Sequence, residues 1–400
     1  MESLNIWNNF VPVEKSSYLQ DDEITYFNLN SFKIQKNKLK MIDLFCGAGG
    51  FAVGCEWAGF QSVFGVDHLE PALKTWIENH PHGIGCLGNI TKLDPTHVRK
   101  LLLDNGVDHI DLITGGVPCQ GFSRANRKHN DNDERNYLFI EYIKFVKEFM
   151  PPYIILENVS GMRSTAGGKF EKNIKQEMEN LGYSVSIKLV NAAEYGVPQV
   201  RKRLIFVGVR KDNGSTPYIF PEGAYKDKFR TVEEAISDLP ALENNESITQ
   251  YSSKPMNSYQ KLMRGYGEIK AIKKTDILFN HIAPNHPQKT INRIASTPQG
   301  QPMYPKFKQR IRLHPHAPSP TQLAGGIRPQ FQFGHPLQPR GLSIRERARI
   351  QSFPDCYIFK GGIVQERVQT GNAVPPLLIY NLVKPIYEDI KSKKGKLNYV

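Results

Sequence analysis

One segment restricts the possible folds of this chain more than any other. Between Lys38 and Ala58 an apolar run, a glycine-rich turn and a helical stretch follow one another. The run Lys38–Phe45 predicts a buried strand, and the glycines after it allow a sharp bend and close approach of a ligand to the backbone. The helix is predicted over Phe51–Ala58. This order is typical of open α/β sheets, which bind ligands at the carboxyl ends of their strands.

The same segment predicts a nucleoside cofactor. Gly47-x-Gly49-x-x-Ala52 fits the fingerprint of dinucleotide-binding turns, and a second strand ends at Asp67, twenty residues after Gly47. A carboxylate there can accept hydrogen bonds from ribose hydroxyls. A third strand-like piece closes near Asn89, which is either an adenine contact or an ordinary turn residue. The cofactor can therefore be a dinucleotide or another adenosine compound.

Two reactive side chains follow later strands. In Asp111–Ser123 a short apolar run ends at paired glycines, and Pro118 fixes a turn that brings Cys119 to the carboxyl edge of the predicted sheet. Cys119 is a candidate nucleophile there, although most free cysteines are small buried apolar residues. The strand Tyr153–Val159 delivers Glu157 to the same edge, where it either shares a pocket with Cys119 or forms a structural ion pair.

Basic residues dominate the second half of the chain. The net charge is +13, and the window from Lys254 to Arg328 has 13 Lys and Arg against two acids, which contributes +11. A solvated basic surface is one explanation, but the interleaved Tyr, His and Phe favour a polyanionic partner. Earlier, Gln199, Arg201 and Arg203 alternate, so on an extended segment they share one face that could hold a phosphate or a base oxygen.

Composition changes after Arg210. Residues 212 to about 340 are rich in Pro, Asn, Gln and basic residues and predict an inserted, loop-rich domain with one helix, Thr231–Leu239. A capping box of Ser343 and Glu346 begins another helix, and an amphipathic helix follows from Leu377 to about Ile390. The five cysteines are scattered without CxxC spacing, which predicts reduced thiols and no zinc site.

Seven motifs, in this order along the chain, are those of one family. They are Asp43-Leu-Phe-Cys-Gly-Ala-Gly-Gly50, Gly116-Val-Pro-Cys-Gln-Gly-Phe-Ser123, Asp133-Glu-Arg-Asn-Tyr-Leu138, Glu157-Asn-Val159, Gln199-x-Arg-x-Arg203, Arg345-Glu-x-Ala-Arg-Ile-Gln-x-Phe-Pro354 and Gly371-Asn-Ala-Val-Pro375. With these motifs the chain resembles the cytosine-5 DNA methyltransferases over roughly 40–211 and 340–390.

The resemblance implies an α/β fold, a Rossmann-like S-adenosylmethionine-dependent methyltransferase sheet with helices on both faces and a smaller, loop-rich target-recognition domain. Residues 1–38 would form an N-terminal arm and 39–211 the catalytic, cofactor-binding domain. Residues 212–365 would be the target-recognition domain, and 366–400 a C-terminal segment that returns to the catalytic domain.

The resemblance also implies roles for individual residues. Cys119 would be the nucleophile, Glu157 would hold the ring nitrogen of the target cytosine, and Arg203 would bind the base oxygen with Arg201 nearby. The cofactor would be S-adenosylmethionine, lined by Phe45, Gly47, Ala48, Gly49, Gly50, Asp67, His68, Asn89, Ile90, Gly116, Pro118, Leu138, Asn372 and Ala373. DNA contacts would come from Gln120, Ser123, Arg124, Gln199, Arg310, Arg312 and Arg328, and no metal is expected. Asn89 stands where the family usually has Asp.

The chemistry explains these residue types. Carbon 5 of cytosine is too poor a nucleophile to accept a methyl group until a thiolate adds at carbon 6 and makes the ring enamine-like. A protonated Glu157 donating to the ring nitrogen would stabilise the charge that develops, and the base must leave the DNA stack to be reached. The product of the cofactor would be S-adenosylhomocysteine.

Three other functions fit parts of the sequence. A nicotinamide dehydrogenase would share the glycine turn and Asp67 but has no need of Pro118-Cys119 with Glu157 or of a basic insert. RNA cytosine methyltransferases of the same family have a shorter insert, and a non-catalytic DNA-binding relative would not need both the cysteine and the acid. We expect a monomer that acts on double-stranded DNA without a membrane or obligate protein partner, in the cytoplasm of a prokaryote, as part of a restriction–modification system.

Overall fold

In the computed structural model the chain forms two compact units. Unit 1 comprises Met1–Val190, Lys202–Phe220 and Val383–Val400, and unit 2 comprises Asn191–Arg201 and Pro221–Leu382. The structure describes residues 24–118, 138–163, 168–214, 216–324 and 332–397, with side chains to residue 394. No helix within these ranges is long and apolar enough to cross a membrane.

Unit 1 is built on an eight-stranded sheet with the order β1-β4-β3-β2-β5-β6-β8-β7. The strands are β1 Thr25–Phe27, β2 Leu39–Leu44, β3 Phe60–Asp67, β4 Ile84–Leu87, β5 Leu112–Gly116, β6 Tyr153–Val159, β7 Tyr183–Asn191 and β8 Lys202–Arg210. The five strands from β4 to β6 are parallel, whereas β1 and β8 run antiparallel to β4 and β6.

The order of the parallel strands reverses between β2 and β5. From β2 the chain builds β3 and β4 on one side, and it then returns to add β5 and β6 on the other. Such a reversal leaves a crevice at the carboxyl ends of the two central strands, because their connections leave in opposite directions. The glycine turn follows β2 and Pro118 follows β5, so both predicted motifs begin at this crevice.

Helices cover both faces of the sheet, which confirms the predicted fold class. They are α1 Gly50–Ala58, α2 Glu70–Asn79, α3 Pro95–Asp104, α4 Phe139–Phe149 and α5 Lys169–Asn180. On β3, Gly65 faces α2 so closely that an added Cβ would lie 2.5 Å from the Trp76 ring. Its neighbours Phe64 and Val66 belong instead to the core formed with α3, α4 and α5. Alternate residues of a strand point to opposite faces, so the two helix layers lie on opposite sides.

The last helix, α11 (Pro376–Leu397), has its second half in unit 1. The Tyr387 ring packs edge-on against Phe60, with 5.9 Å between centroids. Asp389 accepts a hydrogen bond of 2.7 Å from the Tyr153 hydroxyl. The helix is longer than the sequence predicted because its polar last turns have no apolar periodicity.

Unit 2 contains short helices separated by irregular segments. They are α6 Val232–Ile236, α7 Ser258–Met263, α8 Gln288–Ser296, α9 Ile344–Ile350 and α10 Ile363–Asn372. The sequence predicted α6 and α9, and the capping box is present: the Ser343 hydroxyl accepts from the Glu346 N–H at 3.1 Å, and Glu346 accepts from the Ser343 N–H at 2.8 Å. It missed α7, α8 and α10, although Ile291, Ile294 and Ala295 of α8 do have helical spacing.

A buried charge network stabilises unit 2. Arg349 donates to Asp355 at 2.5 and 2.6 Å and to Asp238 at 3.1 and 3.3 Å. Arg264 approaches Asp238 at 2.6 Å. The Arg349 guanidinium holds the pKa of Asp355 below its usual range despite burial, which raises it. Removing one member would leave at least one buried charge with fewer partners, which is destabilising.

Candidate active site

The turn after β2 has an unusual backbone. Phe45, Gly47 and Gly49 have φ angles of +54°, +53° and +82°. Such values are rare for a phenylalanine and mark positions held by the surrounding structure. A Cβ added to Gly47 would meet no atom within 4 Å, so this glycine borders open space. Ala48 and Gly50 are buried beside it.

Asp67, at the end of β3, holds the glycine turn in place. Its Oδ2 accepts from the Gly47 N–H and its Oδ1 from the Leu69 N–H, both at 2.8 Å. Burial raises the pKa of Asp67, and the bond from Leu69 opposes this. The His68 side chain next to it is 64 % exposed. One carboxylate therefore links the turn to the neighbouring strand end and still has lone pairs for a further donor.

Asn89 lies after β4 and caps a short 3-10 turn. Its Oδ1 accepts from the Thr91 N–H at 3.1 Å. Ile90 is buried in the core that also contains α3, α4 and α5. Asn89 therefore has the turn role that the sequence left open, and its exposed side chain can also make a second contact.

The register of β5 and β6 brings the second pair of motifs together. Gly116 pairs with Glu157 across the parallel ladder, and a Cβ added to Gly116 would lie 3.6 Å from Glu157 Oε2. The Asn158 amide donates to the Val117 carbonyl at 3.2 Å. The segment that leads to Pro118 is thus tied to the strand that presents the carboxylate.

Glu157 is paired with Arg203 from the antiparallel strand β8. Arg203 Nε lies 2.6 Å from Glu157 Oε1, and the two side chains are 11 % and 10 % exposed. Burial lowers the pKa of Arg203, and the carboxylate opposes this. Because Oε1 binds Arg203, Oε2 is the oxygen beside Gly116. Arg203 therefore orients the carboxylate of Glu157 towards the end of β5.

Several predicted residues lie outside the described part of the chain. They are Cys119, Gln120, Ser123, Arg124 and Arg328. Pro118 is the last described residue before this gap, and Leu138, the N-cap residue of α4, is the first after it.

Gln199 and Arg201 lie in unit 2, whereas Arg203 lies in unit 1. Arg201 is 1 % exposed and donates to the carbonyl oxygens of Gln322 at 3.0 Å and Gly371 at 2.9 Å. Gln199 has no exposed surface and accepts from the Gln322 N–H at 3.0 Å. The three residues therefore do not form one ligand face. The placement of Gln199 does not favour direct DNA contact, and that of Arg201 favours a positioning role.

Arg201 holds the end of α10, where two predicted cofactor residues lie. Its guanidinium also approaches the Asn372 carbonyl oxygen, at 3.4 Å. Asn372 is exposed at the last position of this helix, and Ala373 is buried as its C-cap. A Cβ at Gly371 would lie 2.3 Å from the Leu323 carbonyl oxygen, so only glycine permits this approach.

Arg310 and Arg312 have local partners in unit 2. Arg310 has no exposed surface and lies 4.6 Å from the Phe307 ring centroid. Arg312 donates to the carbonyl oxygens of Ile294, Ala295 and Thr297 at 3.1–3.2 Å, which caps the carboxyl end of α8. Both guanidinium groups have protein contacts, and the DNA contacts expected of Arg310 and Arg312 stay predictions.

Sequence reasoning missed the role of the buried acid in β2. Asp43 of β2 has no exposed surface, and its Oδ1 accepts from the Thr114 hydroxyl at 2.9 Å across the β2–β5 ladder. Burial raises the pKa of Asp43 to about 8. In the sequence, the sign of this role is an acidic residue inside the otherwise apolar strand β2. Such a buried carboxyl is expected to be neutral, and here it joins β2 to β5.

No group of three His, Cys, Asp or Glu side chains among the described residues could hold a metal ion. The candidate site therefore consists of the open glycine turn with Asp67, and the Glu157–Arg203 pair beside the end of β5.

The family model for C-5 cytosine-specific DNA methylases matches residues 39–388. The chain belongs to this family. It is a DNA cytosine-5-methyltransferase by class, and the matched region includes every motif quoted above.

Individual relatives agree with the family model. The type II methyltransferase M.DdeI of Desulfomicrobium norvegicum is 35 % identical over 383 residues, covering 87 % of this chain and 88 % of its own. The type II methyltransferase M1.HphI of Haemophilus parahaemolyticus is 32 % identical, with 90 % of both chains covered.

Solved structures show the same fold. A candidate DNA modification methyltransferase encoded within an Escherichia coli prophage superposes with a TM-score of 0.74 at 25 % identity, covering 88 % of this chain and all of that one. The Dnmt2 methyltransferase of Schizosaccharomyces pombe superposes with a TM-score of 0.58 at 15 % identity over 88 % of this chain and all of that one, which is a likeness of fold alone.

Proposed function

We propose that this methyltransferase transfers a methyl group from S-adenosylmethionine to carbon 5 of a cytosine flipped out of a specific duplex DNA sequence, through a covalent bond to Cys119. The supporting observation is the pairing of Gly116 with Glu157. It sets Gly116, three residues before Cys119 in the sequence, beside a carboxylate that Arg203 orients at 2.6 Å. A nucleophile next to an oriented acid is what addition to a pyrimidine ring requires.

The glycine turn and its neighbours suit S-adenosylmethionine. Open space at Gly47 leaves room for a ligand against the backbone, and Asp67 has lone pairs for ribose hydroxyls. Asn89 can accept from the adenine amine with the oxygen that already caps the 3-10 turn. When bound, the cofactor supplies an electrophilic methyl group.

The residues of the chain activate the cytosine ring to accept the methyl group. The Cys119 thiolate forms a bond to carbon 6, and the electron pair of the 5,6 double bond moves to carbon 5, where the methyl group is accepted. Glu157 holds the ring nitrogen through Oε2 and shares a proton with it as negative charge develops. A base then removes the proton of carbon 5, and the Cys119–carbon 6 bond breaks to restore the ring.

Unit 2 would supply the target recognition. It contains the whole basic window from Lys254 to Arg328. Phosphate contacts would position the enzyme and offset the few kcal/mol that base flipping costs. Because the relatives M.DdeI and M1.HphI are named type II methyltransferases, we propose that the modification protects a specific sequence from a partner restriction enzyme.

Replacing the nucleophile tests the mechanism. Cys119→Ala should abolish methylation of duplex DNA by a radiolabelled cofactor while calorimetric S-adenosylmethionine binding persists. The matched control is Cys356→Ala, another free cysteine, which lies in unit 2 and should retain activity. Methylation by the Cys119→Ala protein would show that the assigned nucleophile is wrong.

A trapped intermediate gives a second readout. DNA with 5-fluorocytosine at the methylated position has no proton to lose from carbon 5, so the adduct should persist through denaturing electrophoresis and map to Cys119. Bisulfite sequencing of DNA from cells that express the chain identifies that position.

A further inference from the structure

The longest acid-free part of the chain lies in unit 2. Between Asp276 and Glu346 there are 69 residues without an Asp or Glu, and nine of them are Lys or Arg. Within this stretch the structure describes α8 and the irregular segment that follows it. A segment with one sign of charge attracts a polyanion such as DNA.

A tight loop projects from this stretch and is defined here as the 302–311 loop. Pro302 and Ile311 form an antiparallel bridge at its base. The Met303 N–H donates to the Arg310 carbonyl oxygen at 2.8 Å. At the tip the Phe307 N–H donates to Tyr304 at 3.1 Å and the Arg310 N–H to Phe307 at 2.9 Å. The main chain therefore closes the loop with its own hydrogen bonds.

Buried residues fix the loop on α8. Met303 and Ile294 form a small core with Tyr304 packed against it. The guanidinium of Arg293 lies 4.5 Å from the Tyr304 ring centroid, and that of Arg310 lies 4.6 Å from the Phe307 ring centroid. Stacked guanidinium–aromatic pairs hold both partners in one geometry, so the loop is preorganised before any ligand arrives.

The tip presents an aromatic ring between two cations. Phe307 is 38 % exposed, and Lys306 and Lys308 on either side are also exposed. Covering an exposed aromatic ring with a partner is favourable, because apolar surface is removed from water. The ammonium groups on either side favour an anionic partner. Base edges between two phosphate backbones offer both an apolar surface and negative charge.

We propose that the 302–311 loop enters a groove of the target duplex, where Phe307 contacts base edges and Lys306 and Lys308 bind phosphates. Phe307 is then a specificity-determining residue, and the lysines add affinity without sequence preference. This inference rests on the proposed function, DNA methylation, and adds which segment of unit 2 recognises the sequence. Arg310 positions the Phe307 ring, and Arg293 positions the neighbouring Tyr304 ring.

The aromatic ring is tested with Phe307→Ala and with Phe307→Leu, which retains an apolar side chain. Phe307→Ala should lower kcat/KM roughly tenfold on the sequence that the wild type methylates. On duplexes with one base pair changed the decrease should be smaller, so the ratio of kcat/KM between the target and the altered duplexes falls. Phe307→Leu should be intermediate. Cofactor affinity and the melting temperature should be unchanged. The matched control is Ile219→Ala in unit 1, which removes an apolar side chain that is 83 % exposed.

The lysines are tested with Lys306→Gln/Lys308→Gln. This double variant should weaken binding of all duplexes by the same factor and reduce the slope of log K against log salt by about 2, since each phosphate contact contributes about 0.9. The control, Lys172→Gln/Lys175→Gln, removes two exposed lysines of α5 and should leave the slope unchanged.

The outcomes separate the two proposals. In one outcome the wild-type protein methylates DNA and the loop variants equal it in kcat/KM, discrimination and salt slope. That result overturns the role of the loop and leaves the proposed function intact. Uniform loss across all sequences in Phe307→Ala overturns the base contact. A wild-type protein that methylates no duplex overturns the proposed function and, with it, the role of the loop.

Discussion

The ion pair between Glu157 and Arg203 should be necessary both for the stability of unit 1 and for catalysis, and these two effects can be separated. Arg203→Met removes the charge and leaves a carboxylate that is 10 % exposed without its partner. Loss of one member of a buried pair costs about 3–5 kcal/mol. The carboxyl can instead bind a proton, which for an ordinary glutamic acid costs about 4 kcal/mol at pH 7 and about 1 kcal/mol at pH 5.

The variant should therefore lose about 3–4 kcal/mol of unfolding free energy at pH 7 and only about 1 kcal/mol at pH 5. Glu157→Gln/Arg203→Met, which has no buried charge at either position, should recover most of the loss at pH 7. Methyl transfer should stay at least about 100-fold below wild type in both, because the acid is misoriented or absent.

Guanidinium unfolding followed by tryptophan fluorescence measures this, since Trp57 and Trp76, the tryptophans among the described residues, belong to unit 1. The control is Arg99→Met, which breaks a partly exposed pair with Glu148 at 3.4 Å and a hydrogen bond to the Glu148 carbonyl oxygen, and which should cost less than about 1 kcal/mol at either pH. An equal loss for Arg203→Met at pH 5 and pH 7, or a double variant as unstable as the single one, would refute the reasoning.

Two further predictions concern the glycine turn and its strands. Because burial raises the pKa of Asp43 to about 8, the folded protein keeps a proton that the unfolded chain releases near pH 4. The contribution of this group to the unfolding free energy should therefore fall by about 1.4 kcal/mol per pH unit as the pH rises from about 4 to about 8. Asp43→Asn should flatten the plot of unfolding free energy, measured by tryptophan fluorescence, against pH. An unchanged slope would contradict the buried neutral carboxyl. Asn89→Asp should keep the cap on the Thr91 N–H and bind the adenine amine more strongly, which lowers the KM for S-adenosylmethionine about fivefold; an unchanged KM would place the adenine elsewhere.

Local patterns in the sequence were sufficient for the fold class and for the strands that deliver reactive residues. Apolar runs that end at glycine or an acid specify where a buried strand stops, so the glycine turn, Asp67 and Glu157 could be placed at one sheet edge in advance. The short helices α7, α8 and α10 of unit 2 were not predicted, because contacts distant in sequence contribute most of the stability of helices of six to ten residues.

The tertiary structure decided which partner each charged residue has. Arg201 and Arg203 are equivalent in the sequence, yet Arg203 binds Glu157 whereas Arg201 binds carbonyl oxygens 121 and 170 residues further along the chain. Arg312 likewise caps a helix that the sequence did not reveal. Residue type and spacing fix what a side chain can do chemically, but the hydrogen-bond partners of a guanidinium depend on long-range packing, which only the folded chain determines.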